Sequence, residues 1–358
     1  MKVGLGSRTA MSTMLARELV MSYGWNATCY QILNPGIEHW FSPKIPAVVG
    51  YTRRLGVLLV AGAPVCAGES LPEVCAEFED YARSQNCRVC YVCAAERLRT
   101  LFADSSEHSI VTLGAQPVWD PRDWPQLIQD HSSLRAQLNR CRNKDVIVEA
   151  AVPDEAAGDP ELRRVLREWL SARSLPPLEF LVEPDVLDGV VSERMILVAK
   201  RNSTPIAYLV ASPIAARQGY LVELVARSRT APNGVSELLI DAAMQRFAEE
   251  DRLYATLGLV ALASAAEPGI RENPFWLRSL MRFARLHANR FYNFQGLEQF
   301  RVKMAPCDWE PIFAISNEQR FSALTLYGMG AAFSGISPWL AIGIGAMKAV
   351  REEIRRYR

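Results

Sequence analysis

Apolar runs that end in turn residues alternate with amphipathic stretches along most of this chain. A strand entering a Gly-Pro turn is predicted for RRLGVLLVAGAPV, and a helix for LPEVCAEFEDYARSQN, which follows it. The same order returns in YLVELVARS and APNGVSELLIDAAMQRFAEED. We also expect a hairpin whose turn is Arg201-Asn202-Ser203-Thr204. This alternation predicts an α/β protein whose two halves are alike, with mixed sheets flanked by helices.

The domain limits follow from length and from one loop-like stretch. A chain of 358 residues has room for two domains. Residues 151–159 are polar and rich in turn-forming residues, which places a boundary there. We therefore predict an N-terminal domain over 1–150, a second domain over 151–320, and an apolar helical tail over 321–358.

Composition limits the classes of partner and of site. The net charge is +1, so binding to nucleic acid or anionic lipid requires local patches. The N-terminus has no apolar run of the secretory kind, and we expect a cytoplasmic protein with reduced cysteines. Cys87, Cys90 and Cys93 fall in a strand-like run, where side chains three residues apart point to opposite faces. We therefore expect structural cysteines there rather than a zinc or iron–sulfur site. The histidines show no metal-ligand spacing, and we expect no metal or other cofactor.

The stretch from 321 to 347 carries no charged residue. Runs of 18 or more uncharged apolar residues nominate a membrane segment. Several glycines and Pro338 interrupt this one, which leaves three interpretations: a kinked spanning helix, two short interfacial helices, or a hairpin packed on the protein's own core. The basic end REEIRRYR suits anionic headgroups. We favour contact with a membrane surface.

The strongest site signal lies in YLVELVARSRTAPNGVSELLIDAAM. Glu223 ends an apolar run, and Arg227 follows four residues later. Pro232, Asn233 and Gly234 then open a helix, whose first N–H groups attract anions. An acid, a cation and an open helix start predict a site for a carboxyl or phosphate group. The alternative is a strand-end acid paired with Arg227 beside an ordinary capped helix.

A second signal lies in FYNFQGLEQFRVKMAPCDWEP. On a strand, Arg301 and Lys303 would share a face. The aromatic residues nearby are Tyr292, Phe294, Phe300 and Trp309. Cations interleaved with aromatic rings suit a nucleic-acid backbone with a base stacked alongside. The alternative is a strand whose cations extend over an aromatic core.

Two groups of basic residues have helical spacing. One consists of Arg278, Arg282 and Arg285, and the other of Arg135, Arg140, Arg142 and Lys144. Each group could follow the phosphates of an RNA or of a lipid surface. Solvated helix faces have the same pattern.

Together these motifs resemble the C-terminal catalytic domain of lysylphosphatidylglycerol synthase and its relatives, the aminoacyl-phosphatidylglycerol synthases (the DUF2156 type). The resemblance covers about Val20 to Ile315. It is carried by ELVARSRTAPNGVSELLID, TLGLVAL and YNFQGLEQFRVKMAPCDWEP, and upstream by SYGWNATCYQILNPG and SLRAQLNRCRNK. The resemblance implies two tandem acetyltransferase-like (GNAT) folds that work without coenzyme A.

The same resemblance implies transfer of an amino acid from aminoacyl-tRNA to a hydroxyl of phosphatidylglycerol, at the inner face of the cell membrane. Glu223, Arg227 and Lys303 would be catalytic. The substrate-binding residues would be Asn233, Gly234, Arg301 and Trp309, with Arg278, Arg282, Arg285, Arg135 and Arg140 along the tRNA. Three alternatives stay open: a soluble transferase with a small-molecule acceptor, a non-enzymatic module that binds a lipid or a partner, and a coenzyme-A-dependent acyltransferase.

Overall fold

The structure is a computed structural model that describes residues 5–172, 180–181, 186–189, 192–287 and 294–334. Tyr292 and the part of the apolar tail after Ser334 lie outside the described residues.

The described residues form one mixed sheet with helices around it. Its strands are β1 (Glu38–Phe41), β2 (Val48–Arg54), β3 (Val57–Ala61), β4 (Arg88–Ala94), β5 (Ser109–Trp119), β6 (Val146–Ala151), β7 (Met195–Arg201), β8 (Thr204–Ile214), β9 (Gly219–Arg227), β10 (Tyr254–Thr256), β11 (Val260–Ala261) and β12 (Asp308–Ser316). The helices are α1 (Leu5–Tyr23), α2 (Leu71–Ser84), α3 (Glu96–Leu101), α4 (Trp124–Asp130), α5 (Ser132–Arg142), α6 (Pro153–Gly158), α7 (Pro160–Ser171), α8 (Val235–Glu249), α9 (Glu267–Glu272), α10 (Phe275–His287), α11 (Phe294–Lys303) and α12 (Ala323–Ser334). The predicted α/β class is confirmed.

Two β–α–β units repeat within the sheet, whose strand order is β1-β2-β3-β4-β12-β5-β10-β9-β8-β7-β6. In the first unit, α2 joins the parallel strands β3 and β4. In the second unit, α8 joins the parallel strands β9 and β10. Parallel neighbours require such a crossover. Each unit therefore brings the carboxyl ends of two parallel strands to one edge, where ligands bind in open α/β sheets.

The sheet runs without a break between the two units. β5 follows the first unit in the chain but pairs with β10 of the second unit. β12 comes last and pairs with β4 of the first unit, and β5 and β12 also pair with each other. The predicted domain boundary near residue 150 does not coincide with a break in the sheet, and it stays a prediction.

Local sequence explains most of these elements. In α2, Leu71, Val74, Cys75 and Phe78 recur at helical spacing and are all buried. The predicted hairpin of β7 and β8 is confirmed. Arg201 pairs with Thr204, and the two residues between them, Asn202 and Ser203, have φ values of 49° and 64°. Two left-handed residues form the turn whose twist matches that of the strands.

The predicted strand at Arg301 and Lys303 is wrong, because both residues lie in helix α11. The aromatic and β-branched residues favoured a strand, but FQGLEQFRVK also holds several good helix formers, and β12 begins only at Asp308. On a helix, side chains two residues apart point in nearly opposite directions. Arg301 and Lys303 therefore do not share a face.

The described part of the uncharged segment packs on the sheet. α12 lies against β2 and β3 and buries Met329 and Ala332. A Cβ built on Gly328 would lie 3.6 Å from the carbonyl oxygen of Arg54. For residues 321–334, this supports packing on the protein's own core. Among the described residues, we find no helix with the length and apolar character that a membrane crossing requires.

Candidate functional site

Strand β9 carries a bulge at Glu223. Val210 of β8 pairs with Leu224, but the next residue of β8 pairs with Val222, so Glu223 has no partner across the ladder. On its other side, β9 pairs with β10 only as far as Leu221, although it continues to Arg227. Bulges re-aim side chains and are common next to active sites. The candidate site is therefore the place where the strands of the second unit separate.

A buried ion pair holds the Glu223 carboxylate. Arg194 donates from Nε to Oε1 (3.1 Å) and from Nη2 to Oε2 (3.2 Å). The two side chains are 0 % (Arg194) and 4 % (Glu223) exposed. Arg194 also donates to the Val186 carbonyl (3.0 Å) and to Asn34 Oδ1 (2.8 Å). Paired, charge-assisted hydrogen bonds of this kind fix the plane of a carboxylate.

A second carboxylate, that of Glu193, is linked to this ion pair through Tyr30. The guanidinium of Arg194 lies 5.0 Å from the centre of the Tyr30 ring. The Tyr30 hydroxyl donates to Glu193 (2.7 Å), and Arg17 of α1 donates from Nε to the same carboxylate (2.8 Å). Burial acts to raise the pKa of Glu193, but the hydrogen bonds from Arg17, Tyr30 and Ser192 outweigh it and lower that pKa to about 2. Helix α1 is thereby joined to the site.

Arg227 does not pair with Glu223. It is exposed at the end of β9, four residues beyond Glu223. Four residues of extended strand span about 13 Å. The alternative in which Arg227 is the partner of Glu223 is wrong, because Arg194 occupies that position.

The start of α8 is covered rather than open. Gly234 precedes the helix with φ 97°, and a Cβ there would lie 3.2 Å from Cγ of Gln137 on α5. Gln137 donates to Glu237 in the first turn of α8 (2.7 Å). Lys303 donates to the same Glu237 oxygen (3.0 Å) and also contacts Gln137. The structure thus brings Lys303 close to Gly234, while Asn233 is exposed just before them.

Arg301 and Trp309 lie apart from Lys303. Arg301 donates to the carbonyl oxygen of Leu257, directly after β10 (2.6 Å). Trp309 is half-buried and packs on a small apolar cluster that includes Ala115 and Val260. Both residues stabilise the region where β10, β11 and β5 meet.

A polar cluster centred on Glu310 was missed by the sequence analysis. Its Oε2 accepts from Arg217 (2.9 Å), from Tyr254 (2.8 Å) and from Gln116 (2.9 Å). Burial acts to raise the pKa of Glu310, but Arg217 outweighs it and holds that pKa below the usual range. The cluster joins β5, β10 and β12. The only signal in the sequence was an acid beside Trp309.

The loop between α1 and Tyr30 connects the two units. Asn26 donates to the Cys93 carbonyl (2.9 Å) and accepts from the Ala95 amide (3.0 Å), both at the end of β4. Cys29 lies near Pro213 (Sγ to O, 3.9 Å). Burial raises the pKa of the Cys29 thiol to about 12, and the Glu223 charge adds to this. The loop therefore extends from the first unit to Tyr30, whose ring lies beside Arg194.

A small pocket lies at the first unit, between the carboxyl end of β4 and this loop. Its lining includes Trp25, Pro64, Leu98 and Arg97. The Trp25 ring lies 5.5 Å from the guanidinium of Arg97 and 5.1 Å from that of Arg217. Nη2 of Arg97 is buried and has no hydrogen-bond partner among the described residues. Sequence spacing gave no indication of this pocket.

The predicted basic helices are both present. On α10, Arg278 donates to the Arg271 carbonyl (2.9 Å), Arg285 donates to Ser264 (2.9 Å), and Arg282 is exposed. The helical spacing places all three on one side of α10.

On α5, the basic residues have different environments. Arg135 contacts the carbonyl oxygens that end α4, and Arg140 donates to the Ala136 carbonyl (3.2 Å). Both are exposed. Arg142 instead pairs with the buried Asp241 (2.7 Å), so its role is structural.

Residues 17–316 match the family described as phosphatidylglycerol lysyltransferase, C-terminal. The chain belongs to this family. It is 26 % identical over 300 residues to the lysylphosphatidylglycerol biosynthesis bifunctional protein LysX of Nocardia farcinica, and 22 % identical over 286 residues to LysX of Rhodococcus jostii. Both matches cover 78 % of this chain and 25 % of the relative. The chain thus spans about a quarter of the length of these curated relatives.

Two solved structures of family members have the same fold. The C-terminal domain (DUF2156) of a lysylphosphatidylglycerol synthetase from Agrobacterium fabrum superposes with a TM-score of 0.74 at 20 % identity, covering 91 % of this chain and 98 % of that one. L-PGS from Bacillus licheniformis superposes with a TM-score of 0.72 at 20 % identity, covering 89 % and 95 %. The predicted family is confirmed.

Proposed function

We propose that this chain transfers an aminoacyl group from an aminoacyl-tRNA to a hydroxyl of a lipid such as phosphatidylglycerol. The observation that carries this proposal is the family match over residues 17–316. The buried carboxylate of Glu223 supports it, because it stands on a bulge where β9 and β10 separate. We infer that this carboxylate receives the amine of the donor amino acid.

The proposed reaction exchanges one ester for another. The lipid hydroxyl oxygen attacks the carbonyl carbon of the aminoacyl ester, and the bond from that carbon to the ribose oxygen of the tRNA breaks. The ribose oxygen receives the proton that the hydroxyl loses. Because reactant and product are both esters, alignment of the two substrates can supply much of the rate enhancement. The reaction involves no coenzyme A.

Glu223 would hold the α-ammonium group of the donor amino acid. Each of its oxygens accepts one hydrogen bond from Arg194, and an ionised carboxylate has further lone pairs to offer. A carboxylate fixed on both oxygens suits a stationary anchor better than a mobile base.

The proposed cations serve phosphates rather than the reacting carbonyl. Arg227 is exposed at the end of β9, four residues beyond Glu223. Lys303 shares its charge with Glu237, so an anion there would contact a partly neutralised amine. Both fit the polyanionic donor, as do the exposed Arg135 and Arg140 on α5.

The donor's last nucleotide would lie on the exposed face of Trp25, at the mouth of this small pocket. An indole that is 37 % exposed offers a stacking surface for a base, and the guanidinium groups of Arg97 and Arg217 beside the ring would attract its phosphate. The loop that carries Trp25 continues to Tyr30, whose ring lies 5.0 Å from the guanidinium of Arg194, the partner of Glu223. A nucleotide held at Trp25 would therefore direct its aminoacyl ester along this loop toward Glu223.

We also propose that the two halves are acetyltransferase-like domains, 1–150 and 151–320, and that β5 and β12 have exchanged places between them. The repeated β–α–β units and the crossed positions of β5 and β12 support this division. The location that fits a lipid acceptor is the inner face of the cell membrane, with peripheral attachment.

The test is transfer of label. The purified chain is incubated with phosphatidylglycerol vesicles and with tRNAs that carry labelled amino acids, one amino acid at a time. We expect label to enter the organic phase for one or a few amino acids. Label that stays on bound tRNA would contradict the lipid acceptor and support a small-molecule acceptor. A chain that binds no charged tRNA would contradict enzymatic transfer altogether.

A further inference from the structure

Helix α10 exposes an unusual number of large apolar side chains. Phe275 is 76 % exposed, the highest value for a large apolar side chain in the described part of the chain. Phe283 is 61 %, Leu280 47 % and Trp276 39 % exposed. The opposite side of the helix buries Leu277. Helix α10 therefore contacts the protein along one side and presents aromatic rings on the other.

The exposed side is divided into two stripes. Trp276, Leu280 and Phe283 have the spacing i, i+4, i+7, which places them within about 60° of one another around the helix. The arginines at 278, 282 and 285 have the same spacing and form a second stripe. Phe275 lies between the two stripes. At 3.6 residues per turn the centres of the two stripes are about 160° apart, so they form the two flanks of the exposed side. A helix that lies flat in a membrane interface can insert the exposed rings while cations on its flank extend to the headgroups.

The charge of α10 is of one sign. Between Pro274 and His287 the sequence contains three arginines and no aspartate or glutamate. Arg285 is turned back toward the protein, where it contacts Ser264 and lies 3.8 Å from Glu298. Arg278 and Arg282 remain available at the surface. The face therefore suits an anionic partner.

We propose that α10 is the membrane-docking surface of this protein, lying in the headgroup region of an anionic bilayer. Phe275, Trp276, Leu280 and Phe283 would insert between the lipids, while Arg278 and Arg282 contact their phosphates. The proposal deepens the proposed function, because a lipid acceptor must be reached from a membrane surface. It replaces the predicted role of the α10 arginines along the tRNA acceptor stem.

The apolar stripe favours lipid over RNA. Arginines alone would suit either phosphate surface. An RNA duplex, however, presents phosphates and riboses, which offer nothing to Leu280 and Phe283. The interface of a bilayer accepts both the aromatic rings and the cations.

The first test measures sedimentation of the full chain with vesicles. The probes are vesicles of phosphatidylglycerol and phosphatidylcholine in equal parts, and vesicles of phosphatidylcholine alone. We expect binding to the anionic vesicles. Phe283→Ser should weaken it roughly tenfold because one buried ring is lost. Arg282→Glu should also weaken it about tenfold at low salt.

Matched controls lie at a distance from α10. Ile147→Ser removes another exposed apolar side chain, on the edge strand β6 (55 % exposed), and Arg201→Glu reverses an exposed charge at the end of β7. Neither should change vesicle binding. All four substitutions are at exposed positions, so melting temperatures should stay within a few degrees of the wild type.

A second measurement reports insertion directly. The emission of Trp276 should shift to the blue when anionic vesicles are added, and the Trp276→Phe variant should lack that part of the shift. Unchanged vesicle binding in Phe283→Ser and Arg282→Glu would overturn the proposal. Failure of the wild-type chain to bind anionic vesicles would also overturn it. Loss of tRNA binding with vesicle binding intact would show an RNA surface instead. Vesicle binding needs no catalysis, so failure of docking and failure of aminoacyl transfer are distinguishable.

Discussion

The two β–α–β units share one topology but differ where their parallel strands end. In the first unit, β3 stays paired with β4 to its last residue, Ala61. In the second unit, β9 leaves β10 after Leu221 and continues to Arg227 with a bulge at Glu223. The first unit is closed at this edge by the loop that carries Trp25. In the second unit the two strands separate at this edge, and the carboxylate of Glu223 lies there.

The two edges also carry charged groups of opposite sign. Arg97 at the first unit has a guanidinium nitrogen without a hydrogen-bond partner among the described residues. Glu223 at the second unit is bound on both oxygens by Arg194. One scaffold thus offers a cation with spare hydrogen-bonding capacity at one place and a fixed anion at another. A substrate that has phosphates at one end and an ammonium group at the other matches this arrangement.

The largest difference should appear in stability. Arg194→Met leaves the Glu223 charge buried without compensation and should lower the free energy of unfolding by about 3–5 kcal/mol. Arg97→Met in the first unit breaks no buried ion pair and should cost less than about 1 kcal/mol. Denaturant titration of both variants measures the contrast. Equal losses would show that the Glu223 pair is not special.

A smaller effect should separate two glycines near the first unit. Gly62 has φ 78°, and a Cβ there would lie 2.3 Å from Nδ2 of Asn26. Gly56 has φ 74°, but a Cβ there would meet nothing within 4 Å. Gly62→Ala should therefore cost about 3 kcal/mol, from strain and overpacking together. Gly56→Ala should cost about 1 kcal/mol, from strain alone.

Thermal melting of the two alanine variants tests this contrast. If Gly62→Ala melted no lower than Gly56→Ala, the loop that carries Asn26 would not be packed tightly against the first unit.

The contribution of Glu193 to the free energy of unfolding should depend on pH. The folded pKa of Glu193 is about 2, below its unfolded value, so its contribution is complete above the unfolded pKa and is lost as pH falls toward 2. Wild-type stability should drop over that window. Glu193→Gln should be less stable at neutral pH and should show a shallower drop. Parallel pH profiles for the two proteins would contradict the assignment.

The smallest effect concerns donor binding. Arg97→Gln should weaken binding of charged tRNA by roughly threefold to tenfold at low salt, because one phosphate contact is lost. Arg99→Gln on the same helix should not, since Arg99 already pairs with Glu96. Filter binding measures both. Equal affinities for the two variants would contradict the placement of the nucleotide at Trp25.

The features that could be predicted from the sequence are local, and those that could not be predicted depend on contacts between distant parts of the chain. Periodicity is local, so the alternation of strands and helices, the hairpin at Arg201–Thr204 and the helix α10 were predictable. The sequence pattern also singled out Glu223, and the family resemblance added its expected catalytic role. At Arg301, aromatic and β-branched neighbours suggested a strand, and the helix formers beside them decided otherwise.

Partners across the fold could not be predicted. Arg194 is 29 residues from Glu223 in the chain, and Glu310 is 93 residues from Arg217. No local pattern connects such residues, because the sheet brings them together only after the strands have paired. The same reason explains why the sequence offered Arg227, four residues away, as the alternative partner of Glu223, and gave no indication of Arg194.

The most direct test of the central claim is the rate of aminoacyl transfer to phosphatidylglycerol by Glu223→Asp. This variant retains the negative charge beside Arg194 but withdraws the carboxylate by about 1 Å, and a shift of that size can cost about a hundredfold in rate. Glu249→Asp, at the exposed end of α8, is the matched control. We predict about a hundredfold slower transfer for Glu223→Asp and no change for the control. Transfer at the wild-type rate by Glu223→Asp would contradict the placement of the active site at Glu223.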